Sequence, residues 1–340
     1  MRRVRCLLLA AVLLLTGCAV QVQEPSLTRY EASFLSLFDT VTTMVGFASS
    51  EDEFRAVAQQ IHDDLEEYHQ LYDIYHDYPG INNLKTVNDM AGAAPVQVDR
   101  RIVDLLLLCK DMEQETGGMV NVAMGSVLQL WHEARMDALA DPAHARLPDQ
   151  QLLQQAAEHT DLDKVIVDEE HSTVFLSDPQ MRLDVGAVAK GYAVRQVCSN
   201  APKGLLISVG GNVCSTGEKP DGTPWVVGLE NPDGGNYLHT IYHTIGAVVT
   251  SGDYQRYFIA DGKAYHHIID PDTLMPGTNW RAVSILCEDS ALADALSTAL
   301  FLLPRAEGQK LLDRFEASAM WVALDGSEYF SPGFEERLKT

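Results

Sequence analysis

The sequence has 340 residues, of which 46% are hydrophobic and 21% charged, as in ordinary globular proteins. It carries 48 acidic and 25 basic residues, so its formal net charge at pH 7 is −23. Such a surface repels nucleic acid and offers no attraction to anionic lipid, which excludes the functions that depend on either. It also repels a dinucleotide, so an anionic substrate needs a local cationic centre, most simply a divalent metal.

The first 17 residues have the pattern of a bacterial export signal. Basic MRRVR precedes the apolar run CLLLAAVLLL, which is too short to span a bilayer comfortably. The following Leu-Thr-Gly-Cys motif, ending at Cys18, matches the lipobox of bacterial lipoproteins. We therefore predict a lipoprotein signal peptide over 1–17, lipidation of Cys18, a tether over 18–26, and an extracytoplasmic, membrane-anchored location. An ordinary cleaved signal peptide or a short membrane anchor is the alternative.

Four cysteines lie beyond the tether, without the CxxC or Cys/His spacing of a zinc site. An exported protein can form disulfides, but the spacing selects no pair. Buried free thiols are the interpretation that we favour. The four residues are Cys109, Cys198, Cys214 and Cys287.

A first helix is predicted after Ser50. Ser50 and Glu53 have the spacing of a capping box, and apolar residues then recur every three to four positions. The apolar face comprises Phe54, Val57, Ile61, Leu65 and Tyr68.

A second helix is predicted from the residue after Asp99 to the Gly117-Gly118 pair. Residues 142–160 have the composition of a polar loop with a short helix. VIVD and TVFL, at 165–168 and 173–176, predict a hairpin.

The remaining chain predicts strands, two helices and a closing hairpin. LLISVG, WVVGLE and AVVTS have strand composition and are separated by turns rich in Gly, Pro, Asp and Asn. ALADALSTALFLL and about 305–315 predict helices. MWVAL and EYF predict a hairpin that turns at Asp325-Gly326.

Strands and helices mix without a steady βαβ alternation. This pattern favours an α+β fold, with mixed or antiparallel sheets and packed helices, over a doubly wound sheet. No strong linker divides the chain, so residues 27–340 are predicted to form one domain. The sequence lacks the phosphate-loop, dinucleotide-fingerprint and nucleophile-elbow motifs. Any nucleotide-binding site is therefore formed by residues outside these known motifs.

LDVGAVAKGY is the first of four motifs that can carry chemistry. We predict that a strand ends at Asp184, two small residues turn, and a helix starts near Val188. Such a turn can present backbone groups to a ligand. Lys190 in the first helical turn opposes the helix dipole unless an anion is bound. A plain connection with a solvated lysine is the alternative.

The second motif is SVGGN, at 208–212, with KPDG and Trp225 close behind. Paired glycines after an apolar strand permit close approach of a ligand to the backbone. A plain turn is the favoured interpretation of this motif taken alone.

The third motif is the pair His266-His267, which precedes an apolar strand and Asp-Pro. In an extended chain the two side chains face opposite sides, so only one can enter a given cleft, and the pair does not suit chelation of one metal. A histidine titrates near neutrality and suits proton transfer from a hydroxyl. A purely structural histidine is the alternative.

The fourth motif is ADALSTAL. Asp294 and Thr298 are four residues apart, so on a helix they lie on one face. A carboxylate and a hydroxyl are hard oxygen donors that suit Mg²⁺. The alternative is an ordinary helix N-terminus, where both residue types are common.

Together and in this order, the motifs resemble the ApbE family, the FAD:protein FMN transferases. The resemblance extends from about Phe38 to Phe334. It is carried by LDVGAVAKGYA, SVGGN with TGEKPDGTPWVVGLENP, TSGDYQRYF, YHHIIDP and ADALSTAL. The resemblance implies an ApbE-like architecture, related to the T-fold, and is consistent with an exported, anchored protein.

The resemblance also implies the roles of single residues. FAD is expected in a cleft, with Mg²⁺ held by the backbone oxygen of Ala187 and by Asp294 and Thr298. His267 resembles the histidine credited with catalysis. The positions similar to flavin-nucleotide contacts are Tyr75, Met119, Val120, Asn121, Asp184, Lys190 and Ile269.

The chain departs from the family pattern at three places. Many relatives have aspartate where Asn121 stands, and T-V-G-P where residues 123–126 read AMGS. Some have a second aspartate in place of Ser297, so a metal role for that serine is not expected. We interpret the first two changes as subfamily variation that can alter the balance between transfer and hydrolysis.

The implied reaction is a Mg²⁺-dependent attack on the FMN-side phosphorus of FAD. FMN is attached to a threonine or serine hydroxyl of an acceptor protein, for which the resemblance suggests a membrane redox subunit, and AMP is released. His267 is the expected base. Two alternatives stay open: a metal-dependent FAD pyrophosphatase that yields FMN and AMP, and a lipid-anchored flavin-binding protein without chemistry.

Overall fold

The computed structural model describes residues 26–35 and 37–339. The predicted signal peptide, Cys18 and all but the last residue of the predicted tether lie outside these residues. In the described part of the chain, none of the helices combines the length and the apolar character needed to cross a bilayer.

Fifteen strands and eight α-helices make up the described fold. The strands are β1 Thr28–Leu35, β2 Val41–Ala48, β3 Val96–Gln97, β4 Val165–Asp168, β5 Thr173–Leu176, β6 Leu206–Val209, β7 Asn212–Ser215, β8 Trp225–Leu229, β9 His239–His243, β10 Gly246–Gly252, β11 Tyr257–Ala260, β12 Lys263–His266, β13 Ala282–Cys287, β14 Ala317–Val322 and β15 Glu328–Phe330. The helices are α1 Glu51–Tyr72, α2 Leu84–Asp89, α3 Arg100–Thr116, α4 Gly125–Ala140, α5 Gln150–Ala157, α6 Ala189–Asn200, α7 Ser290–Leu302 and α8 Arg305–Leu312.

An eight-stranded sheet organises the molecule. Its strand order is β1-β2-β6-β7-β10-β13-β14-β15, and every neighbouring pair is antiparallel. Three small antiparallel sheets accompany it: β3-β5-β4, β8-β9 and β11-β12. Together with the packed helices, this arrangement confirms the predicted α+β class.

Helix α7 lies at the centre of the core, against β10, β13 and α6. Apart from Leu292 and Thr298, all of its residues are buried. Its sequence is apolar on almost every side, as expected of a helix surrounded by protein. Thr298 is less buried because it faces a cavity.

A glycine allows α6 and α7 to approach closely. A Cβ atom added at Gly191 would lie 2.4 Å from the carbonyl oxygen of Ser290 and 2.5 Å from Cβ of Asp294. Any larger residue would therefore push the two helices apart. This contact explains the glycine that follows Lys190 in the LDVGAVAKGY motif.

The helix boundaries predicted from caps are confirmed. The side chain of Ser50 accepts the backbone N–H of Glu53, but the Glu53 carboxylate accepts the N–H of Ser49 rather than that of Ser50. Asp99 caps α3, which ends at Gly117 in a left-handed conformation with φ of 63°. Because these caps involve hydrogen bonds between residues only a few positions apart, they can be predicted from the sequence.

Two predicted strands are wrong. The apolar segment after His267 is irregular, and Ile269 forms only an isolated bridge with Pro276. The segment that ends at Asp184 is irregular and forms only an isolated bridge between Arg182 and Met124. The N–H of Asp184 donates to the carbonyl of Val122, so backbone pairing goes to the neighbouring loop instead of a sheet. The helix after this turn begins at Ala189, with Val188 at its N-cap, as predicted.

The four cysteines of the described chain are free thiols. Cys109 and Cys214 are buried, and Cys198 and Cys287 are half-buried. Burial raises the pKa of the Cys109 thiol, so this group is inert rather than nucleophilic.

Candidate active site

A cavity of about 840 Å³ opens between α4, the first turn of α6, α7 and the β11–β12 hairpin. Its size lies within the range of small-molecule and cofactor sites. Every residue for which the sequence predicted a role in binding or catalysis lines this cavity. These residues are Tyr75, Met119, Val120, Asn121, Asp184, Ala187, Lys190, His267, Ile269, Asp294 and Thr298.

The start of α6 lacks one of its expected hydrogen bonds. In a regular helix the N–H of Gly191 would donate to the carbonyl of Ala187, four residues earlier. Here it donates to Oδ2 of Asp294, at 2.8 Å. No N–H group of the described residues donates to the Ala187 carbonyl, so this oxygen is free to bind a cation.

Asp294 is a buried carboxyl group with few compensating contacts. The residue is 4% exposed, and Nζ of Lys190 lies 3.7 Å from Oδ2. Burial raises the pKa of Asp294, and Lys190 and the Gly191 N–H oppose that rise. A cation bound to the carboxylate would relieve this unfavourable burial.

The donor set fits a magnesium ion. The Ala187 carbonyl, the Asp294 carboxylate and the Thr298 hydroxyl are hard oxygen donors on the wall of one cavity. Ser297 does not belong to this set, because its hydroxyl donates to the backbone oxygen of Asp294 and is hydrogen-bonded to Ser251.

The two adjacent histidines have different environments. Nε2 of His266 donates to the carbonyl of Gly277, and Nδ1 accepts the N–H of Ile268. The ring also packs edge-on against Phe301 of α7, with centroids 5.3 Å apart. His266 is therefore a structural residue whose two nitrogens are both engaged.

His267 is the histidine that faces the cavity. Its Nδ1 lies 3.2 Å from the carbonyl of Arg256, which can only accept, so Nδ1 carries the proton and Nε2 has a free lone pair. The surrounding protein, together with the charges of Arg256 and Lys190, lowers the pKa of His267. The imidazole is thus neutral at pH 7 and can accept a proton.

Asp184 stabilises the turn in front of α6. Its Oδ1 accepts the N–H of Gly186 at 2.9 Å, while burial raises the pKa of its carboxyl group. Because the N–H of Asp184 also donates to Val122, the turn is attached to the segment that contains Met119 and Val120. The two predicted nucleotide-binding segments are therefore neighbours.

Asn121 has mainly a structural role in this geometry. Its Oδ1 accepts the N–H of Ala123 at 2.8 Å, and its Nδ2 donates to the carbonyl of Thr160 at 2.9 Å. An aspartate could keep the first contact but not the second, because a carboxylate has no N–H to donate.

Tyr75 also lines the cavity, where it is stacked on His132 of α4. The ring centroids are 4.9 Å apart and the planes are inclined by 27°. Tyr75 is 47% exposed, so an aromatic surface is available to a planar ligand.

The family model of the ApbE family matches residues 28–321. This chain belongs to the ApbE family. An FAD:protein FMN transferase of Treponema pallidum is 34% identical over 278 residues, which cover 75% of each chain. One from Klebsiella pneumoniae is 32% identical over 265 residues, covering 74% of this chain and 80% of its own. One from Vibrio cholerae is 26% identical over 353 residues and 97% of both chains.

Solved structures of the ApbE family have the same fold. The crystal structure of the ApbE protein of Thermotoga maritima has a TM-score of 0.80 and 28% identity, and the match covers 92% of this chain and 100% of that one. The flavin transferase ApbE of Vibrio cholerae has a TM-score of 0.76 and covers 92% and 100%. At 22% identity it supports the fold alone.

The cavity residues of this ApbE-family chain that were not singled out from the sequence include Arg256, His132 and Arg135. Arg256 lies within the TSGDYQRYF motif, so a signal for it was present. His132 and Arg135 lie on α4, outside the five motifs. Only the packing of α4 beside the β11–β12 hairpin brings them to the cavity.

Proposed function

We propose that this chain is an FAD:protein FMN transferase, which attaches the FMN part of FAD to a threonine or serine hydroxyl of an acceptor protein and releases AMP. The names of its relatives support this activity. One observation carries the proposal: a free backbone oxygen, a buried carboxylate and a hydroxyl share a cavity with a neutral imidazole. A binding protein has no need of that combination.

Mg²⁺ is the proposed metal, held by the Ala187 carbonyl, Asp294 and Thr298. When bound, it would neutralise charge on the pyrophosphate and so make the phosphorus more susceptible to attack. The chain is strongly acidic, and Asp294 and Asp184 both face the cavity. An anionic substrate therefore needs this cation, together with Lys190, to enter.

His267 is the proposed general base. Nε2 accepts the proton of the acceptor hydroxyl, and the hydroxyl oxygen attacks the FMN-side phosphorus. The bond from this phosphorus to the bridging oxygen breaks, and AMP leaves with that oxygen. General-base assistance of this kind contributes about 10²–10⁴-fold to a rate.

We propose that the flavin nucleotide contacts the walls of the same cavity. Tyr75 offers an exposed ring for stacking, while Asp184 and Lys190 flank the turn before α6. Met119, Val120, Asn121 and Ile269 would contact the nucleotide as cavity-lining residues.

We further propose that the mature protein is anchored to a bacterial membrane through lipid on Cys18, on the extracytoplasmic side. The export-signal pattern of residues 1–18 supports this location. Cys18→Ser should shift the expressed protein from the membrane fraction to the soluble or unprocessed fraction. Membrane attachment that is unaffected by this change would contradict the lipid anchor.

The activity is tested with purified protein, FAD, Mg²⁺ and a candidate acceptor, followed by an in-gel scan of flavin fluorescence. A fluorescent acceptor band that disappears with EDTA supports the transferase. Free FMN and AMP without a labelled acceptor would instead indicate a pyrophosphatase. Unchanged FAD in the presence of several acceptors would indicate a binding protein.

A further inference from the structure

Arg256 is a cation on the cavity wall that the proposed chemistry has not used. It is exposed and lies directly before β11. Its Nη2 donates to the carbonyls of Phe38 and Asp39, at 3.3 and 3.4 Å. Both contacts are long and both acceptors are neutral, so most of the donors of the guanidinium group stay available.

Among the described residues, no carboxylate lies within ion-pair distance of Arg256. Arg281, which does not line the cavity, pairs by contrast with Asp253 and Asp233. Lys190 likewise has Asp294 at 3.7 Å. An arginine without an anion, in a chain with 48 acidic residues, is suited to an anion supplied by the substrate.

Two hydrogen bonds fix the backbone of Arg256 relative to His267, the proposed general base. Its carbonyl accepts both the backbone N–H of His267, at 3.1 Å, and Nδ1–H of the imidazole, at 3.2 Å. Its side chain is held at the Phe38–Asp39 turn, where both residues have positive φ, of 52° and 54°. The charges of Arg256 and Lys190 both act on the pKa of His267 and on that of Asp184. Both cations line the same cavity.

We propose that Arg256 is a substrate-binding residue whose guanidinium group contacts the phosphate of the flavin nucleotide, opposite Lys190. This inference depends on the proposed function, since it assigns a contact within the same site. The planar fork of an arginine can hold two phosphate oxygens at once, which a lysine cannot do. Arg256 would thereby hold the phosphorus in front of His267.

The test compares the affinities of the purified protein for FMN and for riboflavin, which differ by the phosphate, by flavin fluorescence titration with Mg²⁺ present. Arg256→Met should reduce the preference for FMN by about tenfold or more, as expected for loss of a charged hydrogen bond. Arg256→Lys should give an intermediate preference. Lys263→Met is the matched control: it removes one positive charge from the exposed tip of the same hairpin, outside the cavity.

The outcomes separate this inference from the proposed function. A preference for FMN that is lost in Arg256→Met and kept in Lys263→Met supports the contact. An unchanged preference in Arg256→Met overturns it, even if the transferase activity of the wild type is established. A wild type that binds neither FMN nor FAD refutes the proposed function itself, and the role of Arg256 with it.

Discussion

The backbone N–H of Gly191 and Oδ2 of Asp294 lie 2.8 Å apart, although 103 residues separate them in the chain. This bond joins α6 to α7 at the point where the proposed metal site is formed. It orients the carboxylate and leaves the Ala187 carbonyl without its helical partner. The bond therefore couples the packing of two core helices to the chemistry of the cavity.

Asp294→Asn should stabilise the metal-free protein. Burial raises the pKa of Asp294, so ionisation of its carboxyl group disfavours the folded state, and this loss of stability is recovered as the pH falls through the folded-state pKa. An amide can still accept the Gly191 N–H. We expect the melting temperature to rise by roughly 2–4 °C, which corresponds to about 1 kcal/mol. Mg²⁺ should raise it in the wild type but not in the variant.

Thr298→Val is the matched control for Asp294→Asn. It removes a proposed metal ligand without removing a buried charge, so it should abolish the Mg²⁺-dependent rise in melting temperature and leave the metal-free stability nearly unchanged. A Mg²⁺ effect that persists in both variants would place the metal elsewhere.

His267→Asn and His266→Asn should have different effects. The first variant should bind FAD as the wild type does but lose about 10²–10⁴-fold in turnover, because the general base is missing. The second should mainly lower stability, since the ring of His266 bonds to Gly277 and Ile268 and packs on α7. The measurements are flavin-transfer rates with FAD titrations, and thermal melting. Wild-type turnover in His267→Asn would remove its role.

Stability should decrease in mild acid because of buried neutral histidines. His243 of β9 is 6% exposed, and burial lowers its pKa. The unfolded state then binds the proton first, so the free energy of unfolding falls as the pH drops below about 6.5, by up to ~1.4 kcal/mol per pH unit for one histidine. Urea unfolding at pH 7.5 and 5.5 measures this loss. His243→Gln should reduce the difference, and an equal difference in both proteins would contradict the assignment.

Gly191→Ala and Gly308→Ala replace glycines in two helices, and we expect opposite results. A Cβ at Gly191 would collide with the backbone of Ser290, so the first change should cost about 1–3 kcal/mol and impair the site. At Gly308 the nearest atom, Cγ of Leu300, lies 3.5 Å away, so alanine should stabilise α8 by about 0.5–1 kcal/mol. Chemical denaturation distinguishes the two. Equal tolerance of both changes would contradict the tight α6–α7 contact.

Elements with local signals were predictable, and those without them were not. Ser50, Asp99 and Gly117 marked helix ends because caps act over three or four residues. Helix α4 was not predicted: no side chain caps its start at Met124, and its apolar residues do not form a clear stripe. Strands β1 and β2 were also not predicted, since their pairing with each other and with β6 depends on distant segments.

By itself, the sequence determined the α+β class, the helix caps and some of the residues that line the cavity, because residue types and local hydrogen bonds follow from short motifs. The tertiary structure decided which of these groups meet. Only the antiparallel sheet order and the close α6–α7 contact bring Ala187, Asp294 and His267 to one cavity. The same packing decides that Gly191 bonds to a carboxylate, and that His267 rather than His266 keeps a free nitrogen. Contacts between residues about 100 positions apart depend on burying a common core, which no short motif encodes.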